Sequence, residues 1–226
     1  MTPRDNSEFL KERLAMVERQ IEARGVKNLR VLGAMRTIPR HLFVPGPYAT
    51  SSYEDRPLPI GDGQTISQPY IVAVMTELLD VRSHDRILEI GAGSGYQAAI
   101  LSELASDVIT IERLPNVASL ARTNLEKLGI RNVEVVVADG TLGFPEKGPY
   151  NGILITAATP EVPTPLLDQL AEGGRLVAPA GGRVVQELVK IVRRGTAFET
   201  TYHGGVCFVP LIGRYGWRDG DSDDDV

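Results

Sequence analysis

The sequence predicts an α/β fold: a doubly wound, mostly parallel sheet that ends in antiparallel strands and is preceded by a helical and loop extension. Three observations predict it. Between residues 67 and 182, short runs rich in β-branched residues alternate with helical segments, which implies right-handed βαβ crossovers and a sheet covered on both faces. A glycine-rich turn follows the first of these runs. Beyond residue 182 the alternation stops, and two strand-like stretches are joined by Gly195.

The elements follow in chain order. Leu10, Leu14, Val17 and Ile21 recur at helical spacing between Ser7, a cap residue, and Gly25, a helix-ending residue, so they predict one amphipathic helix with these four on its buried face. Asn28 is placed to cap a second, shorter helix whose Leu29, Leu32 and Met35 share a face and which stops before Pro39. Residues 39–67 are rich in Pro and Gly and read as a long loop, ordered by its aromatic and apolar segments and of the length usually kept for function. Strands are expected at residues 86–90, 107–111, 133–137, 152–156 and 175–180, with helices in YQAAILSELA, LPNVASLARTNLEKLG and TPLLDQLAEGG between them. VQELVKIVRR and TAFETTYHGGVCFVPLIG read as the closing antiparallel strands. The organisation expected is a single domain: residues 1–66 as helices and a covering loop, 67–218 as the core, and 219–226 as a solvated, disordered acidic tail.

Composition narrows the function. The 226 residues are 42% hydrophobic and 23% charged, as in soluble globular domains. The net charge of −5 is concentrated at the end: the last eight residues carry five Asp, and the remaining 218 hold 24 acids against 24 bases. A balanced body gives no case for a nucleic-acid or anionic-membrane partner. One cysteine, Cys207, excludes an intramolecular disulfide and a multi-Cys metal site, and its apolar surroundings in sequence predict an inert core thiol. His41, His84 and His203 fall in unrelated segments and form no site, and no metal-ligand spacing is present. The N-terminal stretch has no apolar core of signal-peptide length, so a cytoplasmic protein is expected, acting as a monomer.

The chemistry is concentrated in LEIGAGSGY, residues 88–96. Gly91, Gly93 and Gly95 let the chain turn sharply after a strand, and free N–H groups at the next helix would favour a polar partner. Glu112 closes the second strand 21 residues after Gly91, where this fold places a carboxylate for ribose hydroxyls. Asp139-Gly140 follows the third strand, so Glu89, Glu112 and Asp139 are expected to line one sheet edge. Tyr96 stands where the dinucleotide fingerprint needs its third Gly, and the turn holds no Lys. An adenosyl compound with a cationic sulfonium therefore fits better than a pyrophosphate, although nicotinamide and other nucleotide ligands remain open at this point.

The motif E-x-G-x-G-x-G resembles that of Rossmann-like S-adenosylmethionine-dependent methyltransferases. GQTISQPY (63–70), PRHLFVP (39–45), PLPI (57–60), Ala157-Ala158 and GVCFVPL (205–211) are similar to the protein-L-isoaspartate O-methyltransferases over nearly the whole chain. The resemblance implies S-adenosyl-L-methionine as cofactor and methyl transfer to isoaspartyl proteins and peptides. It marks Ser67 as the active-site residue, with Gln64, Thr65 and Ile66 folded over the cofactor and Thr156-Ala157-Ala158 as the floor. Ser67 also reads as an N-cap before Pro69. Leu58-Pro59-Ile60 and Val209-Pro210-Leu211 are expected to pair with a substrate strand through the backbone. One departure is Asn151, where the family usually has Asp. Two other readings stay open: a methyltransferase acting on RNA or a metabolite, and a non-catalytic adenosyl-binding protein.

Overall fold

A computed structural model describes residues 7–219. Helix α1 (Ser7–Met16) runs into a π turn (Val17–Ile21) and a 3-10 turn (Glu22–Arg24), closed by Gly25 at φ 102°. Val17 and Ile21 are buried as expected, but Leu14 is exposed and Arg13 and Met16 face inward. Residues 13, 16 and 17 form the buried stripe at three-to-four spacing, which leaves position 14 outside. The wider π turn then rotates Ile21 back onto that stripe. Helix α2 (Leu29–Thr37) is capped by Asn28, whose Oδ1 accepts the N–H groups of Arg30 (3.0 Å) and Val31 (3.4 Å). Its buried stripe is Val31, Leu32, Ala34 and Met35, so Leu29 falls on the far side and is exposed.

The stretch read as a long loop contains regular structure. Two 3-10 turns (Arg40–Phe43, Gly46–Ser51) lead to a hairpin of β1 (Leu58–Gly61) and β2 (Gln64–Ile66). Asp62 and Gly63, at φ 49° and 70°, make its turn, as the Asp-Gly pair allows. Helix α3 (Pro69–Leu79) follows. It holds the N-terminal helices through Glu77, whose Oε1 accepts the N–H groups of Lys27 and Asn28, both at 2.7 Å.

The core alternates β3 (Arg86–Ile90), α4 (Tyr96–Ser102), β4 (Asp107–Glu112), α5 (Pro115–Lys127), β5 (Val133–Val137), β6 (Tyr150–Ile155), α6 (Thr164–Asp168) and β7 (Leu170–Gly181). The hairpin of β8 (Gln186–Arg194) and β9 (Ala197–Val206) completes a seven-stranded sheet ordered β5-β4-β3-β6-β7-β8-β9. The first five are parallel, and β7, β8 and β9 pair antiparallel, so the doubly wound fold read from the sequence is the observed one. Helix α6 is shorter than expected: the chain enters β7 at Leu170, and Gly174 lies so close to the carbonyls of Ala171 and Tyr150 that no larger residue fits. Residues 207–211 leave the sheet, contrary to their reading as part of a strand.

Alternating strand residues build two cores. Ile87, Val108 and Leu154 join the cluster under α3, α4 and the N-terminal helices, while Leu88, Ile109, Ile153 and Leu176 join the one under α6. One buried ion pair ties sheet to helix: Arg175 Nη2 lies 2.6 Å from Asp85 Oδ2, and Arg175 Nε donates to the Leu79 carbonyl at 3.0 Å. Asn151 Oδ1 accepts the Arg86 N–H at 2.8 Å, so the amide serves where an Asp would and leaves the start of β3 anchored. Among the acidic residues of the tail, Asp219 meets Arg113 at 3.1 Å; the rest of the expected disordered tail lies outside the described residues. No helix among the described residues is long and apolar enough to cross a membrane.

Candidate active site

The strand order reverses between β3 and β6, and the glycine turn lies at that switch point, where open α/β sheets bind ligands. The turn is stiffened from within. Gly91 N–H donates to the Ile111 carbonyl at 2.8 Å and Ala92 N–H to the same oxygen at 3.1 Å. Gly93 N–H donates to Glu112 Oε2 (3.1 Å), and Gly95 N–H to the Ala92 carbonyl (2.8 Å). These four donors of the turn are thus occupied, because it folds back on β4; the free donors expected are those of the first turn of α4, Tyr96 to Ala98, which have no partner within the helix. Gly91 has φ 100°, and a Cβ there would lie 2.5 Å from Thr156 Oγ1. Thr156 Oγ1 in turn faces the carbonyls of Ile90 (2.9 Å) and Gly91 (2.7 Å). Gly95, at φ 89°, caps α4 and lets it approach Ala121 of α5.

Glu112 sits at the mouth. Its Oε1 accepts the Leu114 N–H at 3.0 Å, and with the Gly93 contact two of its roughly four acceptor sites are filled. The others remain for a pair of ribose hydroxyls. On one side a cleft is lined by Gln64, Thr65, Ile66, Ser67, Gly91, Gly93 and Thr156; on the other, a second is lined by Ile111, Leu114, Gly140, Ala157 and Leu211. Gln64, Gly91, Glu112 and Ala157 border both. A Cβ on Gly140 would come 2.5 Å from Ile90 Cγ2, so only glycine keeps that floor flat. A carboxylate between a hydroxyl-lined end and an end walled by Ile90, Ile111, Leu114 and Leu211 fits an adenosyl group joined to an amino acid.

Two expected acids do not line these clefts. Glu89 is fully buried on the inner side of β3, because strand alternation turns it away from the edge. Burial pushes its carboxyl up to about 8; the Thr110 hydroxyl beside it pulls the other way and Glu112 adds a smaller push. Asp139 instead caps a 3-10 turn: Oδ1 accepts from Thr141 N–H (2.9 Å) and Oγ1 (2.7 Å), and Oδ2 from Arg214 N–H (2.8 Å). It fastens the chain end across the sheet edge and leaves Gly140 to line the cleft.

Ser67 is not the cap of α3. Gln68 holds that position without a side-chain cap bond, Pro69 has no N–H, and Asp55 Oδ1 accepts the Tyr70 N–H at 3.2 Å. Asp55 Oδ2 also accepts from Gln68 Nε2 at 2.7 Å and pairs with Arg24. The half-buried Ser67 hydroxyl is left facing a junction. It lines the cleft at the glycine turn and a wider cavity of about 810 Å³, as do Thr65, Thr156, Phe208 and Val209. The segments expected to pair with a substrate strand are partly committed. Leu58 and Ile60 point into the core and β1 is paired with β2, while Pro59 is exposed and borders none of these cavities. Ala158 takes the Val209 carbonyl and supplies the acceptor for the Leu211 N–H, so that edge is already paired; Pro210 borders the apolar cleft.

Residues the sequence did not single out complete the walls. Phe208 borders both the cleft at the glycine turn and the wide cavity, and Cys207 is exposed on the latter, contrary to the buried thiol expected, because the chain has left the sheet there. Tyr96 is held by Phe43, ring centroids 5.4 Å apart, and by the buried Arg40 guanidinium 5.0 Å from its ring. Burial lowers Arg40 to about 10. His41 is buried against Tyr53 (Nδ1 to hydroxyl 2.8 Å), far from any metal-like grouping; among the described residues none of three or more His, Cys, Asp or Glu exists.

Residues 11–216 match the family protein-L-isoaspartate(D-aspartate) O-methyltransferase (PCMT). The chain belongs to this family. It is 64% identical over 208 residues to a protein-L-isoaspartate O-methyltransferase of Methanoculleus marisnigri, covering 92% of this chain and 94% of the relative. A protein of the same name from Methanospirillum hungatei is 65% identical over 209 residues, covering 92% and 97%. A solved protein-L-isoaspartate O-methyltransferase superposes with a TM-score of 0.82 at 30% identity, over 92% of this chain and 67% of that one. A Plasmodium falciparum protein solved with S-adenosyl-L-homocysteine shares the fold, with a TM-score of 0.77 at 24% identity over 88% of this chain and 98% of its own. Like its family, this methyltransferase uses S-adenosyl-L-methionine, and the cleft around the glycine turn, Glu112 and Gly140 has the shape and chemistry to hold it.

Proposed function

We propose that the chain methylates the α-carboxylate of L-isoaspartyl residues in damaged proteins and peptides. The observation that carries this is the junction at Ser67, where a cleft suited to an adenosyl compound meets a wide, open cavity across the hydroxyls of Thr65, Ser67 and Thr156, flanked by Phe208 and Val209. When bound, S-adenosylmethionine supplies an electrophilic methyl group on a cationic sulfur. The acceptor needs no base, since a carboxylate of reference pKa ~4 is ionised at neutral pH. Ser67 Oγ donates a hydrogen bond to one carboxylate oxygen and so aims the other at the methyl carbon. Thr156 and Gly91 hold the floor of the cleft rigid, and Gln64, Thr65 and Ile66 cover it and exclude water. Orientation of this kind can account for ~7–11 kcal/mol of a barrier. The resulting ester is attacked by the following backbone nitrogen, expelling methanol and giving a succinimide that hydrolyses in part to normal aspartate.

The reading places cofactor contacts at Gln64, Thr65, Ile66, Gly91, Gly93, Glu112, Gly140 and Thr156, with Ser67 against the acceptor. Glu89, Gly95 and Asp139 support the cleft from behind. Val209 faces the acceptor cavity, whereas Leu58 and Ile60 belong to the core and Pro59 borders none of the cavities. The balanced charge of the body favours a protein over a nucleic-acid substrate, and the reading includes a cytoplasmic monomer. Incubation with methyl-labelled S-adenosylmethionine and matched Asp and isoAsp peptides tests the function. Base-labile label confined to the isoAsp peptide is expected, and no ester on either peptide would refute it.

A further inference from the structure

The wide cavity at Ser67, about 810 Å³, lies near the top of the roughly 300–1,000 Å³ range of ligand pockets and is several times larger than one acceptor carboxylate requires. Its lining changes character along its length. Thr65, Ser67 and Thr156 are shared with the cofactor cleft and mark the inner end. Phe208 and Val209 are shared as well; away from that end the walls are Pro57, Ile71, Val185 and Val206, with Gln68 and Cys207, and no Asp, Glu, Lys or Arg lines the cavity anywhere. Val185 is 64% exposed and its neighbour Val184 70%, which leaves apolar surface at the lip, on the connection between β7 and β8.

We propose that this cavity selects isoaspartyl residues by their neighbours: it accepts aliphatic or aromatic side chains beside the damaged residue and rejects charged ones of either sign. This rests on the isoaspartyl reading above. The occupant is the substrate chain because the cavity shares Thr65, Ser67 and Thr156 with the reacting end, so the residues next to the isoaspartate enter it when its carboxylate is at Ser67. An apolar neighbour gains by covering Val185, Ile71 and Phe208, whereas a charged neighbour gives up water and finds no counter-ion in the lining. The carboxylate itself is tolerated because Ser67 and the cationic sulfur meet it at the inner end. Apolar neighbours are normally buried in folded proteins, so the same selection directs the enzyme to segments that have lost their fold.

The test uses the intact protein and three isoAsp peptides identical except that the residues on both sides of the isoaspartate are Leu, Asp or Lys. Leu flanks are expected to raise kcat/KM about tenfold over both charged peptides, equivalent to 1.4 kcal/mol. In Val185→Asp that advantage is expected to shrink several-fold, with affinity for S-adenosylhomocysteine unchanged. Equal kcat/KM for the three peptides in the wild-type protein overturns the proposal, as does a Leu preference that Val185→Asp leaves intact. If no isoAsp peptide is methylated at all, the failure belongs to the proposed function instead.

Discussion

Replacement of Gly91 by Ala probes the rigidity of the cofactor cleft most directly. Gly91 has φ 100°, and an L-residue forced into a left-handed backbone costs roughly 1–2 kcal/mol. The new Cβ would also sit 2.5 Å from Thr156 Oγ1, so the threonine must rotate away from the Ile90 and Gly91 carbonyls. One hydroxyl proton serves both, and its hydrogen bond is worth about 0.5–1.5 kcal/mol. Together the two effects predict a loss of about 2–3 kcal/mol in urea unfolding. S-adenosylhomocysteine affinity should fall about tenfold by calorimetry, the equivalent of 1.4 kcal/mol. Gly129→Ala is the control: φ is 67° but nothing lies within 4 Å of its Cβ, so it should show backbone strain alone and unchanged binding. Because Gly91→Ala already breaks the threonine contacts, adding Thr156→Ala should cost little more. A Gly91→Ala protein within 0.5 kcal/mol of wild type, or strict additivity of the two changes, would refute the reasoning.

Ser67→Ala is expected to keep S-adenosylhomocysteine binding and stability while the methyl-transfer rate drops, since the hydroxyl caps no helix; single-turnover and calorimetric measurements separate the two, and equal loss of both would show a structural role. Arg175→Met, which leaves the buried Asp85 carboxylate without its partner, should destabilise by about 3–5 kcal/mol in urea unfolding, and a loss under 1 kcal/mol would contradict the buried-pair reading. Glu89 has its folded pKa raised from 4.5 to about 8, so between those values the folded state holds a proton that the unfolded chain releases, and stability falls as pH rises through that window. Glu89→Gln should abolish that part of the slope and be most stabilising at pH 8 and above; an unchanged pH profile counts against a protonated Glu89.

The parallel core was legible because its strands are continuous β-branched runs and because the glycine turn marks where the first of them ends. The hairpin at residues 58–66 was harder to see. Its Pro and Gly content reads as loop, although Asp62-Gly63 between PLPI and QTI is a hairpin signal by itself. Helix faces were misjudged where the buried stripe runs through a polar residue: Arg13, Met16 and Val17 face inward and leave Leu14 outside, and the π turn after Met16 then brings Ile21 back onto the stripe. At the site, Gly91, Glu112 and Thr156 follow from strand ends, which sequence locates well. The assignments of Glu89 and Asp139 depended on which way each side chain turns. Strand parity settles the first. The second depends on the backbone of residue 214, 75 positions away, which no local pattern encodes. Likewise Asp55, rather than Ser67, meets the start of α3 only because the N-terminal helices bring it there.

The inward hydrogen bonding of the glycine turn has a consequence for selectivity inside a cell. ATP, NAD and other adenine nucleotides share the adenosine half of S-adenosylmethionine and can satisfy Glu112 and the apolar floor equally well. What they must then do is strip water from a phosphate chain beside a turn whose N–H groups at Gly91, Ala92, Gly93 and Gly95 already have partners. A phosphate gains nothing from those four N–H groups and must turn to the first turn of α4 instead, whereas a sulfonium needs no donor. At these four positions the turn therefore offers a competing phosphate no donor of its own, and holds it less well than a turn with free N–H groups would.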